Sequence, residues 1–309
     1  MHVVRPTPAR FDETLALLRA ADVAVFGDSD WTADELREEW DELDLAHDAW
    51  LVELDGRIAG VAHLLDRKGG RFIGDGYVHP ELTGRGVGGR VLGLLEERAL
   101  ELRPSWPAGE RIVLEAAHLV GDERAPMLFA GRRFERVRSF FRMVVDVTDE
   151  QPQPAWPEGT TLRPLDPDRD GPMLHDAELE AFADEWGYVP LSYDDWRGRV
   201  FGRSGFDPAL VPVVWAGDEV VAFSRNYPKR NGDWGFIANL GVRPAWRRRG
   251  LGLALLHESF RRFRETGETT IALGVDVENP TGATRLYEQA GMRVLWQADL
   301  WQKELRARD

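Results

Sequence analysis

The sequence predicts an α/β (α+β) protein written twice: two tandem domains, each a β-sheet with helices packed on it. Three observations predict this. The chain has 309 residues, 43% of them hydrophobic, which is material for about two domains at roughly 150 residues each. Its segments recur in the same order in both halves. Within each half, stretches alternating with period 2 are interleaved with helical stretches, the mixture that a helix-covered sheet requires.

Taken in order, Val3-Val4-Arg5-Pro6 returns as Thr161-Leu162-Arg163-Pro164. The run 49–54, the pair Asp55-Gly56 and the run 58–61 make a hairpin pattern, which 211–215, Gly217-Asp218 and 220–223 repeat. A strand then enters Val78-His79-Pro80-Glu81-Leu82-Thr83-Gly84-Arg85-Gly86-Val87-Gly88. This segment aligns without a gap with Val242-Arg243-Pro244-Ala245-Trp246-Arg247-Arg248-Arg249-Gly250-Leu251-Gly252. Helices follow, with Val91, Leu94, Leu95 and Leu102 on one face of the first and Leu253, Leu256, Phe260 and Phe263 on one face of the second. Ile271, Leu273, Val275 and Val277 then alternate as in a strand. Between the copies a proline-rich stretch lacks hydrophobic period and reads as a linker. The expected organisation is 1–148, a linker at 149–159, and 160–309.

Composition excludes several functions. With 39 basic and 53 acidic residues the net charge is −14, the wrong balance for a nucleic-acid partner. Without cysteine there are no disulfides, thiolate metal sites or cysteine nucleophiles. The seven histidines lack metal-ligand spacing, so no metal is expected. No apolar run approaches the roughly 18 residues of a membrane span, and Met1-His2-Val3-Val4-Arg5-Pro6 lacks the apolar core of a secretory signal. The expectation is a cytoplasmic protein with no membrane association.

The segment 247–252 lies between a strand and a helix. A helix N-terminus presents unpaired N–H groups at the positive end of its dipole. Gly250 and Gly252 leave those amides open to a phosphate, and Arg247, Arg248 and Arg249 add charge that does not titrate. The segment reads as an anion cradle, or else as a basic loop before a helix that packs through small residues. Gly84-Arg85-Gly86-Val87-Gly88-Gly89 matches the dinucleotide pattern G-x-G-x-x-G. The second copy shares only the glycines at 86/250 and 88/252, so that match reads as coincidence.

Strand, Val-x-Pro, Arg-x-x-Gly-x-Gly and a long amphipathic helix together resemble the acetyl-CoA-binding core of the GCN5-related N-acetyltransferases (GNAT). The stretch from Gly274 through Asn279-Pro280 and Tyr287 to Met292 resembles that family's second motif. The tandem layout resembles the mycothiol-synthase-like two-domain branch. The resemblance implies two GNAT domains, each with a mixed, mostly antiparallel central sheet flanked by helices. It further implies acetyl-CoA as acyl donor, a small-molecule amine as acceptor, and direct attack of the amine on the thioester. CoA contacts fall on Leu240, Gly241, Val242, Arg247, Arg248, Arg249, Gly250, Leu251, Gly252 and Asn279. A second site would use Val78, Thr83, Gly84, Arg85, Gly86, Val87 and Gly88.

By its own pattern Asn279 reads as an N-cap with Pro280 at N1, and Gly291 as the helix stop. Tyr287 reads either as a packed tyrosine or, by the resemblance, as the acid that protonates the departing CoA thiolate. In the first copy Met127 or Phe129 stands opposite Tyr287, depending on whether Gly131 or Phe134 anchors the alignment. Neither donates a proton, so the first domain is expected to be degenerate and the second catalytic. Phe236 occupies the position where relatives carry a glutamate base. Asp233 lies further back, and Asn239 orients a water. The acidic aromatic stretch 178–188 falls where the resemblance implies acceptor-binding helices, so that its carboxylates, Glu185 first, pair with an ammonium and Trp186 or Tyr188 wall the pocket. Otherwise it reads as a solvated helix face with buried aromatics. Arg261-Arg262-Phe263-Arg264 reads as an exposed basic face or a contact for an anionic partner. The alternatives to an N-acetyltransferase are a CoA-binding sensor without turnover and a dinucleotide oxidoreductase. A monomer or homodimer is expected.

Overall fold

The computed structural model describes all residues except 28, 30, 68, 69, 149–151, 204, 231–233 and 307–309, with backbone only at 229 and 230. Asp233 and the start of the expected linker lie outside the described residues. The first copy runs through β1 (His2–Val4), α1 (Phe11–Phe26), α2 (Ala33–Glu42), β2 (Ala49–Leu54), β3 (Arg57–Arg67), β4 (Arg71–Val78), α3 (Val87–Leu102), β5 (Ile112–Leu119), α4 (Ala125–Gly131) and β6 (Glu135–Asp146). The second runs through β7 (Thr161–Arg163), α5 (Pro167–Ala181), α6 (Tyr193–Phe201), β8 (Val213–Ala216), β9 (Glu219–Arg230) and β10 (Trp234–Val242). It continues through α7 (Leu251–Glu265), β11 (Thr270–Asp276), α8 (Ala283–Gln289) and β12 (Arg293–Arg306).

Two compact units result, Met1–Ser139 with Gln297–Asp309 (unit 1) and Phe140–Trp296 (unit 2). Unit 1 orders its strands β1-β2-β3-β4-β5-β12, and unit 2 orders them β7-β8-β9-β10-β11-β6. In each unit every recorded neighbour pair is antiparallel except β4/β5 and β10/β11, which are parallel. Each unit is therefore the mixed, mostly antiparallel sheet that was expected. Its closing strand comes from the other repeat: β12 pairs with β5 from Ala298 to Arg306, and β6 pairs with β11 from Phe140 to Asp146. The spans 1–148 and 160–309 follow the repeat in the sequence, whereas the compact units exchange their last strands. Because β6 and β12 hold equal places in the two copies, the same alternation satisfies either neighbour.

Local chemistry explains the elements. Asp55 and Gly56, both at positive φ (54° and 79°), make the turn that lets β2 and β3 pair. In unit 2, α5 and α6 cover one face of the sheet through Leu174, Ala177, Trp196 and Val200, packed with Val213 and Phe223. Helix α7 covers the strands with Leu251 and Leu255 against Val214 and Val221, and with Phe260 and Phe263 against Ile237 and Ile271.

The run Arg261-Arg262-Phe263-Arg264 is not a plain exposed face. Phe263 is fully buried, and Arg261 and Arg262 both bond Glu258, at 2.7 and 2.8 Å. Burial pushes the Glu258 carboxyl up, but hydrogen bonds from the two arginines outweigh it and hold the pKa below the usual range. A depressed carboxylate stabilises the fold above its unfolded pKa, about 4.3, and that stability is lost as pH falls through the lowered value. Glu258→Gln should therefore cost about 1–3 kcal/mol at neutral pH, and its Tm should fall less steeply than wild type below about pH 4. Thermal melts across pH check both.

Candidate active site

Strands β10 and β11 pair over three rungs only, Gly235–Ile271, Phe236–Ala272 and Ile237–Leu273, although both continue beyond them. An irregularity against β9 between Ile237 and Asn239 bends β10 at the point of divergence. Past Ile237 the β10 edge facing β11 has no strand partner among the described residues, so Leu240, Gly241 and Val242 border a cleft. An extended amide chain can add to such an edge.

The cleft ends at the N-terminus of α7. Arg247 is extended (φ −62°, ψ 158°), Arg248 has φ +64°, and the N-cap Gly250 has φ +89°. Left-handed residues interspersed in a turn point successive N–H groups into a concavity, and the first-turn amides of α7 join them. A Cβ at Gly250 would meet nothing within 4 Å, so the space above that amide is open. Gly252 is glycine for another reason: a Cβ there would lie 2.8 Å from Leu286 Cδ2, so its absence lets α8 pack on α7. The three arginines also divide. Arg247 donates to Val242 O (3.2 Å) and Ala181 O (2.9 Å), fastening the loop to β10 and to the end of α5. Arg248 and Arg249 are exposed, with Arg249 over the Trp246 ring at 4.7 Å.

Helix α8 begins at Ala283, capped by Gly282 at φ 75°, so the expected start at Asn279-Pro280 is corrected. Asn279 Oδ1 instead accepts from Thr281 N (2.8 Å) and Thr281 Oγ1 (2.6 Å), and Gly282 in the left-handed region separates this turn from the helix. The far end follows expectation. Gly291 has φ +87°, and Gly291 N and Met292 N donate to Glu288 O and Tyr287 O, each at 3.0 Å, completing a Schellman stop. Tyr287 is thus held by its own carbonyl and by packing with Met292 and Phe260. Its residue is 9% exposed and its phenol has no hydrogen-bond partner among the described residues. Burial, then the nearby Glu185 carboxylate, push its pKa up to about 12.

Glu185 lies in the turn after α5. It is exposed as a residue, yet partial loss of water around its carboxyl, then the charges of Asp276 and Glu178, raise its pKa. The fold therefore brings Glu185 into electrostatic contact with Tyr287, from segments far apart in sequence. Glu178 itself is ion-paired. Arg225 Nη2 bonds its Oε1 at 3.2 Å, while Nε approaches Oε2 at 3.0 Å without hydrogen-bond alignment. The same Nη2 donates to Asn239 Oδ1 at 2.6 Å. With its oxygen so occupied, Asn239 offers N–H donors, which suit an oxygen on a ligand rather than the proton of an amine. Tyr188 stands beside this group, its pKa pushed up to about 12 by burial and by Glu178. Phe236 packs under Arg142 at 4.8 Å, so no carboxylate stands at that position. The sequence reading missed Arg225 and Asp276. The available signal was the polar triplet Ser224-Arg225-Asn226 directly after the apolar run 220–223 of β9, where a charge carried into the sheet requires a partner.

Unit 1 keeps this backbone and changes the chemistry. β4 and β5 pair at Arg71–Val113, Phe72–Leu114 and Ile73–Glu115 and then diverge past Val78. Thr83 is extended, and Gly84 and Gly86 have φ 75° and 82° before Val87 opens α3. Gly88 faces Leu128, as Gly252 faces Leu286. Arg85 is paired with Asp55 at 2.7 Å. Phe134 N donates to Phe129 O at 3.0 Å, matching Met292 and Tyr287, so Phe129 is the counterpart of Tyr287; Met127 is 73% exposed. Phe129 stacks on Trp301 at 5.3 Å. Among the described residues no cluster of three or more metal-binding side chains occurs, and no helix is long and apolar enough to cross a membrane.

Comparison with known proteins gives consistent matches. The Acetyltransferase (GNAT) family pattern matches residues 12–117 and 172–292, once per copy. A mycothiol acetyltransferase of Thermobispora bispora is 31% identical over 259 residues, 81% of this chain and 82% of that protein. Another, of Geodermatophilus obscurus, is 30% identical over 310 residues, 94% and 92%. The crystal structure of a GCN5-related N-acetyltransferase from Sphaerobacter thermophilus superposes with TM-score 0.90 at 31% identity, covering 100% of this chain and 96% of that one. A tandem GNAT protein from the clavulanic acid biosynthesis pathway shares the fold, with TM-score 0.72 at 17% identity, covering 100% and 99%.

Arg248 occupies in unit 2 the left-handed position that Gly84 holds in unit 1. The left-handed region costs a non-glycine residue roughly 1–2 kcal/mol. Arg248→Gly should therefore raise stability by up to about 1 kcal/mol, while Gly250→Ala should lower it by roughly 1–2 kcal/mol although nothing clashes. Denaturant unfolding of the two variants measures both signs.

Proposed function

The chain belongs to the Acetyltransferase (GNAT) family, and we propose that its unit 2 transfers an acetyl group from acetyl-CoA to a primary amine of a small molecule by direct attack. The observation that carries this reading is the convergence, on one cleft, of an anion cradle at 248–252, an unpartnered strand edge, and the Tyr287–Glu185 pair. The residues fit the donor: open space at Gly250 suits a diphosphate, and the β10 edge suits a chain of amides. Acetyl-CoA supplies the thioester carbon at which the nitrogen–carbon bond forms as the carbon–sulfur bond breaks.

The chain's own residues then have separate tasks. Arg248, Arg249 and the amides of 248–252 hold the diphosphate. Glu185, with its raised pKa, is suited to take the proton of the incoming ammonium. Tyr287 directs its hydroxyl proton at the departing sulfur. A phenol near 12 is a weaker acid than a thiol near 8.5. Tyr287 therefore acts mainly by hydrogen bonding the developing charge, and complete proton transfer is uphill. Unit 1, with Phe129 in place of the phenol, supports its neighbour or binds CoA without turnover.

The acceptor follows from the relatives' name: a mycothiol precursor carrying a free amine is the first candidate. A CoA-binding module without turnover is the second reading, favoured by the absence of a carboxylate at Phe236. A dinucleotide fold needs a largely parallel sheet, whereas Gly84–Gly89 adjoins a single parallel pair.

Thiol release from acetyl-CoA, measured with a panel of amines, tests the assignment; no release with any amine would remove it. Tyr287→Phe should lower turnover about 100-fold with acetyl-CoA affinity nearly unchanged. As the base must be ionised, kcat/KM should climb with pH through the raised Glu185 pKa, and no loss from Tyr287 should appear below about 12. Glu185→Gln should flatten the acid limb.

A further inference from the structure

Unit 1 buries a histidine where unit 2 buries an arginine. His63 on β3 pairs with Asp75 on β4, as Arg225 on β9 pairs with Asn239 on β10. Counting back from the aligned Val78 and Val242 makes these positions equivalent. His63 is 5% exposed, with Nδ1 3.3 Å from Glu39 Oε1 on α2 and Nε2 3.2 Å from Asp75 Oδ2. Both ring nitrogens face carboxylates, so the contacts are complete only when both carry hydrogens, that is, in the cation. Arg225 holds Glu178 and Asn239 with a charge that does not titrate.

Among the described residues, the helix on the other side of this contact is otherwise held mainly by apolar and ring contacts, one of them Arg37 over the Phe11 ring at 5.2 Å. Of the ten residues of α2, six are acidic and one is basic, and Leu36 is its one buried side chain. Trp40 adds an edge contact with Phe11 at 5.2 Å. Trp31, just before α2, sets its ring edge-on to Tyr77 at 6.3 Å, and Tyr77 is the counterpart of Gly241. The α2 segment thus covers the part of β4 equivalent to the 239–241 stretch in unit 2.

We infer that Glu39, His63 and Asp75 form a proton-operated latch that holds α2 over the β4 end of the unit 1 cleft and releases it when His63 loses its charge. Among the described residues the charged groups facing the ring are Glu39 from α2 and Asp75 from β4. Glu42 stands beside Glu39, and β2 places the uncharged Ala49 opposite His63. Burial opposes the imidazolium, but Asp75 and Glu39 together outweigh it and raise the pKa above the ordinary 6.5. A raised histidine stabilises the contact fully below its unfolded pKa, and that stabilisation disappears as pH rises through the folded value. Burial raises the Glu39 pKa and the His63 charge pulls it down, so loss of the imidazolium charge leaves the Glu39 carboxylate half-buried without a counter-charge. The side chain of Asp75 is 44% exposed, which gives the proton a route to solvent.

Amide exchange of the full chain, corrected for the intrinsic rate at each pH, tests the latch. Protection of α2 should drop about tenfold between about pH 6 and about pH 9, while α5, held by Arg225, keeps its protection. His63→Arg should keep α2 protected throughout, and His63→Gln should leave it weakly protected throughout. Flat protection of α2 in the wild type, or an equal drop in His63→Arg, would overturn the proposal. Imidazole NMR of the wild type is a second arm that needs no variant: a His63 titration at or below 6.5 would overturn it as well.

Discussion

The divergence of one parallel strand pair is the constraint from which the rest of the candidate site follows. Parallel neighbours cannot be joined by a tight turn and need a crossover. Here the crossover is α7, so its N-terminus starts where β10 ends, at the open mouth of the pair. The strand that returns, β11, ends at the opposite lip and hands the chain to α8. Connectivity alone therefore sets the positive helix terminus and Tyr287 on either side of one opening. Had the pair zipped up beyond Ile237, the open edge of β10 would be spent on β11 itself.

Charge then gives the cleft a direction. At one end stand Arg248, Arg249 and the amides of the α7 terminus; at the other stand Glu178, Glu185 and Asp276. An acidic protein whose cleft is basic at one end takes a ligand with its anionic part in a fixed position. At the acidic end the carboxylates are not equivalent. Glu178 is buried and already has an ion-pair partner in Arg225. Glu185 faces two other carboxylates, so it is the group with most to gain from a cationic partner.

Much of this is legible in the sequence, for identifiable reasons. The repeat, the glycine–arginine turn and the Tyr287 helix are local patterns whose residues sit close together along the chain, and hydrophobic period and turn chemistry expose them. The exchange of β6 and β12 is hidden because duplicated strands carry interchangeable patterns. Helix α8 starts late because Asn279 spends its side chain on Thr281, an outcome that competes with capping and uses the same residue. Arg247 reads as ligand-binding charge, but its donors go to carbonyls at Val242 and Ala181, and no sequence rule says where a strand end and a helix end meet. The Glu178–Arg225–Asn239 group joins a helix to two strands and has no linear signature.

Duplication within one chain separates what the fold needs from what chemistry needs. Both units keep the three-rung parallel pair, the left-handed residues before the helix, and the Schellman stop. Those are conditions for making the cleft at all. What differs is side chains: Tyr287 against Phe129, Arg225 against His63, Arg248 against Gly84. The last pair is the most informative, because the relaxed solution is present in the same molecule. Unit 1 places glycine at the left-handed position and bears no strain there, while unit 2 places arginine at φ +64° and does. A strained side chain persists where its head group has a use that offsets the backbone term. That use is consistent with an anion held at 248–252, and it sets unit 2 apart as the one whose cradle is adapted beyond the requirements of folding.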